Sequence, residues 1–292
     1  MTESLLRDVR QDLADGGLEA SLLVRDLRTG DELGLDPDVQ VPSASLVKIP
    51  LALATLERIH RGELDGTQTI EVPPGQITTP GPTGLSRFQH PSWIAVDDLI
   101  YLSTCLSDGT AADALFALTP PSYVTDLLRS WGLEGISVRH AISDLTDTLA
   151  ARLDETHLAH TLAIDAGSNI SQLDPTRASS GSARAYTNLL EALWTPCAIP
   201  APIAETVRTL MAHNLHRQRL APDFSSDATT WSSKTGTLLN LRHEIGVAEH
   251  SDGTTYAVTV LTRSAVPAAT QPAAESLMST AARTLHDHLR QR

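Results

Sequence analysis

The sequence predicts an α+β fold in which one antiparallel sheet is assembled from both ends of the chain around an inserted helical segment. Three observations predict it. Residues 19–36 read as two strands, residues 45–200 are mostly apolar at helical spacing, and residues 244–263 return to strands. A chain of 292 residues is long enough to bury a good-sized core.

The N-terminal stretch MTESLLRDVRQDLADGG predicts an amphipathic acidic helix. Its apolar residues Leu5, Leu6, Val9 and Leu13 recur on one side. The next stretch, EASLLVRDLRTGDELGLD, predicts two strands joined by a turn at TGD. These elements supply the N-terminal part of the sheet and one helix to cover it.

The middle of the chain predicts helices. Five stretches have apolar residues at helical spacing: IPLALATLERIHRG, WIAVDDLIYLSTCLS, TAADALFAL, PSYVTDLLRSWG and SARAYTNLLEALW. Towards the C-terminus, EIGVAEH and TYAVTVLTR predict two strands that flank a turn at SDG, and AAESLMSTAARTLHDHL predicts a closing helix. The strand pairs at the two ends therefore predict one shared sheet.

We expect a single domain of two lobes. The α/β lobe comprises residues 1–44 and 205–292, and the helical lobe comprises residues 45–204. This layout predicts a cleft between the lobes, which is a usual place for a small-molecule site.

The composition excludes some partners. A net charge of −13 and a pI near 5.2 argue against nucleic acid or an anionic membrane surface. No apolar run reaches the roughly 18 residues of a membrane span. The N-terminal stretch lacks the basic and apolar regions of a secretion signal. We therefore expect a cytoplasmic protein, or a mature secreted form whose leader has been removed.

The chain has only two lysines, Lys48 and Lys234, beside twenty arginines. A guanidinium stays protonated, so a retained lysine indicates a need for a titratable amine or a compact ammonium. Lys48 follows Ser45 by three residues, and on a helix the two share a face. A desolvated amine of lowered pKa can take the proton of a serine hydroxyl. Alternatively, Ser45 is only a helix N-cap and Lys48 a surface residue.

Two further motifs follow this S-x-x-K. Ser107, Asp108 and Gly109 form an S-D-G triplet at a break between two predicted helices. Lys234 opens the K-T-G triplet, just before the predicted C-terminal strands. S-x-x-K, S-D-N and K-T-G, in that order, are the motifs of class A β-lactamases and penicillin-binding proteins. Both lysines of the chain fall on motif lysines.

The sequence thus resembles the class A β-lactamases and their penicillin-binding serine hydrolase relatives over nearly the whole chain. The resemblance implies a sheet of about five antiparallel strands flanked by terminal helices, plus an inserted all-helical lobe. It also implies a serine hydrolase that opens a β-lactam or similar amide through an acyl-enzyme on Ser45. The implied partner is a small amide, ester or β-lactam that carries a carboxylate. We expect a monomer without metal or cofactor.

The resemblance also implies roles for individual residues. Lys48 handles the proton of the nucleophile Ser45, and Ser107 relays a proton to the leaving nitrogen. Lys234 and Thr235, with Gly236 in the same motif, anchor the substrate's carboxylate. Backbone N–H groups of Ser45 and Thr237 form the oxyanion hole, where two donors can stabilise a tetrahedral anion by several kcal/mol.

Two arginines are candidates for a second contact to the carboxylate. Arg242 lies eight residues after Lys234 and enters the next predicted strand. Its alternative role is that of a surface salt-bridge arginine. Arg219 is a weaker candidate for the same contact.

The sequence departs from the family pattern in two places. Gly109 replaces the asparagine whose amide would line the substrate's acyl-amide group. In addition, class A enzymes carry a glutamate, in an arrangement like R-x-E-x-x-L-N, that activates the deacylating water. If Arg139 matches that arginine, the position of the glutamate is occupied by Ala141.

Asp144, His140 and Asp147 are nearby candidate substitutes for this base, although each has an alternative role in stabilising a loop. Glu155 is a further candidate, but it lies later in the chain than the pattern requires. A general base typically contributes about 10²–10⁴-fold to a rate. Without one, we expect β-lactams to leave a slowly hydrolysed acyl-enzyme.

Two alternatives to a β-lactamase stay open. The first is a non-β-lactam acyl hydrolase or acyl transferase on the same fold, such as an esterase, a D-amino-acid peptidase or a biosynthetic enzyme. The second is a non-catalytic binding or sensor protein, in which acylation or carboxylate binding is the signal. Retention of Lys48 argues against the second, because a pure binder has no use for a proton acceptor beside Ser45.

Overall fold

A computed structural model describes residues 2–75, 83–146, 170–195, 197–265 and 271–291. Its α-helices are α1 Thr2–Asp15, α2 Lys48–His60, α3 Val96–Cys105, α4 Gly109–Leu118, α5 Pro121–Ser130, α6 Ser143–Thr146, α7 Ala183–Trp194, α8 Ala201–Ala212, α9 Ala221–Phe224 and α10 Pro272–Arg290. Its strands are β1 Leu18–Asp26, β2 Glu32–Leu35, β3 Val41–Pro42, β4 Thr69–Val72, β5 Ser92–Ala95, β6 Ile136–Ser137, β7 Ser180–Gly181, β8 Thr229–Leu238, β9 Leu241–His250 and β10 Thr255–Ser264.

The main sheet has five antiparallel strands in the order β2-β1-β10-β9-β8. Strand β1 pairs with β10 from Leu18 opposite Ser264 to Asp26 opposite Tyr256. The N-terminal and C-terminal strands therefore meet at the centre of one sheet. This arrangement confirms the predicted α+β fold and the predicted joining of the two chain ends.

Helices cover both faces of the sheet. On one face, α1 and α10 pack on alternate strand residues such as Leu22 and Val24. On the other face, Leu23 joins the larger core that contains α2 and α7. Alternating side chains of β1 thus enter two different cores, as the period of a strand requires.

Helix α2 is packed among the other helices of the middle part of the chain. Its residues from Lys48 to Thr55 are all buried, which is typical of a helix surrounded by other helices. Its Ile49, Leu51 and Leu53 have essentially no exposed surface. This core fixes the start of α2, and with it the position of Lys48.

The structure corrects three details of the sequence interpretation. Lys234 lies inside β8 rather than just before the C-terminal strands. A 3₁₀ turn at Ala44–Val47 precedes α2, so the regular helix begins at Lys48. Helix α8, Ala201–Ala212, was not predicted.

Short strands position the segment before Ser45. Strand β3 pairs with β7, which pairs with β6 on its other side. The N–H of Ser43 then donates to the carbonyl of Ser179 at 2.8 Å. The residues that lead into Ser45 are therefore held by hydrogen bonds to a separate small sheet.

No helix in the described ranges is long and apolar enough to span a bilayer.

The division into two lobes at residues 44/45 and 204/205 stays a proposal. Helix α7 packs directly on the sheet, where the hydroxyl of Thr187 donates to that of Thr259 at 3.0 Å.

Candidate active site

Ser45 lies in the 3₁₀ turn that connects β3 to α2. It is half-buried, whereas its neighbours Ala44 and Leu46 are buried. Ala44 has a left-handed backbone conformation with φ +47°. Such a conformation costs a non-glycine residue energy and persists only where the surroundings enforce it. The turn therefore presents the Ser45 hydroxyl from a constrained backbone.

Lys48, the first residue of α2, directs its amine at two serines. Its Nζ lies 3.1 Å from Oγ of Ser45 and 3.2 Å from Oγ of Ser107. The same amine donates to the carbonyl oxygen of Ser107 at 2.6 Å. The predicted shared face of Ser45 and Lys48 is therefore present, although the first turn is 3₁₀.

Ser107 lies at the sharp corner between α3 and α4, with φ +56°. Its Oγ accepts a hydrogen bond from Nζ of Lys234 at 3.0 Å. Because Lys48 is 3.2 Å from the same oxygen, the hydroxyl lies between the two lysine amines of the chain. The three motifs thus meet at Ser107.

Asp108 fixes this corner from behind. It is the N-cap of α4, and its carboxylate accepts the backbone N–H groups of Thr110 and Ala111. It also accepts the N–H of Leu85 and, at 2.9 Å, the hydroxyl of Ser86. The Asp108 carboxylate thus accepts four hydrogen bonds from groups of the protein itself. Gly109 is the first residue of α4 and is buried.

Burial dominates the electrostatics of both amines. Lys48 is 1% exposed and Lys234 is 0% exposed. Burial lowers the pKa of Lys48 to about 8, although the carboxylates of Asp108 and Asp113 oppose the shift. Burial also lowers the pKa of Lys234 well below its ordinary value, and the positive charges of Lys48 and Arg219 add to that effect.

The K-T-G motif lies on β8, an edge strand of the main sheet as described. The unpaired side of an edge strand presents backbone N–H and C=O groups. Gly236 packs closely on the Ser45 turn, because a Cβ at this position would lie 3.0 Å from the carbonyl oxygen of Ser43 and 3.1 Å from Cγ of Leu46. Thr235 is buried, whereas Thr237 is half-buried beside the turn that contains Ser45.

Of the two arginines, Arg219 contacts the K-T-G strand directly. Its Nη2 donates to Oγ1 of Thr237 at 2.6 Å, and its Nη1 donates to the carbonyl of Gly236 at 3.0 Å. An ion pair with Glu275 on α10 holds its Nε at 3.1 Å. Arg242 is also buried, but its Nη1 donates to the carbonyls of Leu239 and Leu241 at the β8–β9 turn.

Comparisons with known proteins identify the family of the chain. A sequence model of the β-lactamase enzyme family matches residues 4–289. The chain belongs to this family. It is 59% identical over 308 aligned residues to a protein of Streptomyces cacaoi named β-lactamase regulatory protein BlaB, with 99% of each chain covered.

Solved structures of this family share the fold. A mutant of PBP-A, captured as an acyl-enzyme complex with penicillin G, matches with a TM-score of 0.78 at 17% identity, over 99% of this chain and 97% of that one. An ancestral class A β-lactamase matches with a TM-score of 0.77 at 19% identity, over 97% and 99%. The fold is therefore that of a class A β-lactamase.

If the family pattern is aligned on Arg139, the segment after β6 has Ala141 at the position of the glutamate. Arg139 donates from Nη1 to the carbonyl of Ala178 at 2.5 Å and to the hydroxyl of Ser180 at 2.9 Å. Its own N–H donates to Oγ of Ser179 at 3.0 Å. Arg139 therefore ties this segment to β7.

The candidate bases in the segment after β6 have other hydrogen-bond partners. His140 Nε2 accepts the N–H of Ser179 at 2.8 Å, so in the neutral ring Nδ1 donates to the carbonyl of Ala141 at 2.9 Å. Asp144 is exposed and accepts the N–H of Ala141 at 3.0 Å. Asp147 and Glu155 lie outside the described residues.

Sequence analysis missed two titratable residues near the lysines. Asp113 on α4 accepts the N–H groups of Ile142 and Ser143 at 2.6 and 2.9 Å, and burial raises its pKa. His216 lies beside the carbonyl of Leu106, and burial followed by the charge of Lys234 lowers its pKa. Neither residue belongs to a motif, so only the folded arrangement shows that they are near the site.

Proposed function

We propose that Ser45 of this protein is acylated by β-lactams or similar amides, and that the resulting acyl-enzyme is long-lived. One observation carries the proposal. The Ser107 hydroxyl lies between two buried amines, and one of these amines is 3.1 Å from Ser45 Oγ. This arrangement provides a nucleophile, a proton acceptor and a proton relay.

In the acylation step, Oγ of Ser45 attacks the substrate's carbonyl carbon and its proton moves to the neutral amine of Lys48. A pKa of about 8 leaves roughly a tenth of Lys48 neutral at pH 7, which suffices for a general base. The oxyanion is stabilised by the N–H groups of Ser45 and Thr237. The C–N bond then breaks, and the proton passes from Lys48 through Ser107 to the leaving nitrogen.

The carboxylate of the substrate binds at the K-T-G strand. Lys234 supplies a compact ammonium beside Ser107, and Arg219 supplies a guanidinium at Thr237. We assign the second contact to Arg219 rather than to Arg242, because the guanidinium of Arg219 reaches the half-buried Thr237. Thr235 supports this strand from a buried position.

Deacylation is the slow step. Ala141 replaces the glutamate of the family pattern, His140 uses both ring nitrogens in backbone hydrogen bonds, and Asp144 caps the N–H of Ala141. We infer that neither His140 nor Asp144 activates a water above the acyl-enzyme, because both are held by backbone hydrogen bonds. Loss of a general base slows a step by about 10²–10⁴-fold.

A persistent adduct suits a protein that reports the presence of a β-lactam. The Streptomyces cacaoi relative is named a β-lactamase regulatory protein. An acylated Ser45 would give such a protein two long-lived states, free and occupied, which a partner could distinguish. We propose this sensing role for the acylated form.

A second candidate is hydrolysis of a different acyl donor, such as an ester or a D-peptide. His216 favours it, because a half-buried imidazole near Lys234 and Lys48 can act as a general base. This candidate predicts that His216→Gln loses the turnover of esters but still forms the slow β-lactam adduct.

The decisive experiment is an intact-mass time course with penicillin G on the parent protein and on Ser45→Ala. We expect a mass increase equal to one penicillin that persists for hours in the parent and never forms in the variant. Rapid release with accumulation of penicilloate would instead show an efficient β-lactamase. Absence of any adduct on the parent would contradict the proposal and direct the search to esters and D-peptides.

A further inference from the structure

His243 on β9 is a fully buried polar residue that belongs to none of the motifs. It is 0% exposed and lies directly across the strand pair from Gly236. Its Nδ1 accepts the backbone N–H of Thr262 on β10 at 3.1 Å. Its Nε2 lies 2.9 Å from the carbonyl oxygen of Pro42. The ring thus connects the main sheet to the segment that leads into Ser45.

The tautomer of His243 follows from these two contacts. A backbone N–H can only donate, so Nδ1 must be the unprotonated acceptor. The proton of a neutral ring is then on Nε2, from which it is donated to Pro42. Burial, with a smaller contribution from the charge of Arg219, lowers the pKa of His243 to about 4, so the ring is neutral at neutral pH.

Pro42 is three residues before Ser45, and the residues between them are constrained. Ser43 is held by the carbonyl of Ser179, and Ala44 has a left-handed backbone. A strained turn of this kind keeps its conformation only if the surrounding contacts enforce it. The small sheet holds Ser43 and His243 holds the carbonyl of Pro42, so both contacts act on the residues just before Ala44.

Gly236 shows how closely the ring, the strand and the turn are packed. A Cβ at Gly236 would lie 3.0 Å from the carbonyl oxygen of Ser43, 3.1 Å from Cγ of Leu46 and 3.3 Å from Cδ2 of His243. The two N–H groups that we assign to the oxyanion hole come one from this turn and one from this strand. Their separation therefore depends on how the turn is attached to the sheet.

We propose that His243 is a positioning residue, whose hydrogen bond from Nε2 to Pro42 sets the distance between the Ser45 turn and β8. Its effect on catalysis rests on the proposed acylation of Ser45, whereas its effect on the turn does not. A displacement of about 1 Å at a reacting group can cost on the order of 10²-fold in rate. Loss of this one bond should therefore slow acylation without unfolding the protein.

Two substitutions separate the two hydrogen bonds of the ring. In His243→Asn, the side-chain oxygen can still accept the N–H of Thr262, but the side chain is too short to reach Pro42. In His243→Gln, the amide nitrogen occupies roughly the place of Nε2 and can still donate to Pro42. The Gln variant is thus the matched control for the Asn variant.

The test compares the rate of adduct formation with penicillin G, hydrogen exchange of peptides that cover Ser43–Lys48, and the melting temperature. We expect acylation to fall about 10- to 100-fold in His243→Asn and less than about threefold in His243→Gln. Exchange in the turn should rise in the Asn variant alone. A merely structural residue would instead lower acylation in proportion to the melting temperature, equally in both variants, and that result would overturn the inference.

Two further outcomes keep the inference separate from the proposed function. If the parent forms no adduct with any acyl donor, the proposed function fails, and the exchange data alone decide the role of His243. Unchanged exchange in His243→Asn would then refute it. If the variants do not fold, ¹⁵N spectra of the histidines in the parent decide, since a proton on Nδ1 rather than Nε2 of His243 is incompatible with the proposed bond.

Discussion

The motif residues and the segment after β6 differ in what they retain of the family pattern. On the side of the motifs, Ser45, Lys48, Ser107 and Lys234 form a continuous set of contacts between 3.0 and 3.2 Å. In the segment after β6, the family pattern aligned on Arg139 puts Ala141 at the position of the glutamate, and the described neighbours His140 and Asp144 bind the backbone. The motif residues supply the groups that the proposed acylation of Ser45 requires. Under the proposed function, acylation and deacylation thus depend on separate parts of the chain.

The largest expected effect is a loss of acylation when Lys48 is replaced. Lys48→Arg keeps the positive charge but removes the titratable amine, because a guanidinium does not deprotonate in proteins. We expect the rate of Ser45 acylation to fall by about 10²–10⁴-fold, the contribution of a general base. Stopped-flow or mass-spectrometric acylation rates with penicillin G would measure it.

The matched control for this exchange is Arg129→Lys on the surface of α5, where the side chain is 63% exposed. It should acylate at the parent rate. A Lys48→Arg variant that also acylates at the parent rate would show that Lys48 is not the base.

The second largest expected effect comes from introducing a carboxylate in the segment after β6. Ala141→Glu places a carboxylate where the family pattern has one, and we expect the lifetime of the acyl-enzyme to shorten by about 10²-fold. Ala141→Gln has the same size and cannot act as a base, so it should leave the lifetime unchanged. Equal lifetimes in the two variants would mean that the deacylating water does not lie beside residue 141.

A third prediction tests the amine by pH. The pKa of Lys48 is lowered to about 8, and only the neutral amine accepts a proton. The acylation rate should therefore rise about tenfold from pH 7 to pH 9 and level off above that. A rate that is constant over this range would assign proton transfer to another group.

The smallest effect concerns a histidine pair remote from the K-T-G motif, and it separates stability from the chemistry of the cleft. Nε2 of His250 and Nε2 of His286 are 2.9 Å apart. Arg290 donates to Nδ1 of His250 at 3.0 Å, and Nδ1 of His286 lies 2.8 Å from Asp287. The pair therefore requires one neutral donor ring and one neutral acceptor ring.

Both rings have lowered pKa values, to about 4 for His250, mainly because of burial. The groups that act on them are Thr229, Asp252, Arg283, Asp287 and Arg290. Because the unfolded value is near 6.5, their stabilising contribution is complete above that pH and is lost as pH falls towards 4. We expect the free energy of unfolding to drop by roughly 1–2 kcal/mol between pH 7 and pH 5.

Urea titrations at the two pH values would measure this drop in stability. It should shrink in His250→Gln and persist in the control variant His213→Gln, whose side chain is exposed. A drop that is equal in both variants would assign the acid sensitivity elsewhere.

Much of the site could be predicted from the sequence because its chemistry restricts residue types. Only a lysine offers both a titratable amine and a compact ammonium, and a chain with two lysines made the pattern clear. Strand β8 was harder to predict, since its sequence TTWSSKTGTL lacks the alternation of apolar residues. Its lysine, serines and threonines are buried because they make specific contacts, which local periodicity cannot show.

His216 and His243 could not be predicted, because they lie in segments without a motif and contact Leu106 and Pro42, which are distant in the chain. From the sequence, Arg219 is only the weaker of two candidates, because its partner Thr237 is 18 residues away. Arg242 was the natural choice by spacing along the chain. Which of the two arginines reaches Thr237 depends on how the segment before β8 folds over the strand.

The burial of both lysines has a practical consequence for chemical labelling. With every other basic side chain an arginine or a histidine, the folded surface offers an amine-reactive reagent no lysine to modify. Each lysine that does become labelled records an opening of the interior around Ser107. The rate of lysine modification, read as added mass, would thus follow access to this region, and occupancy of Ser45 by an acyl group should slow it.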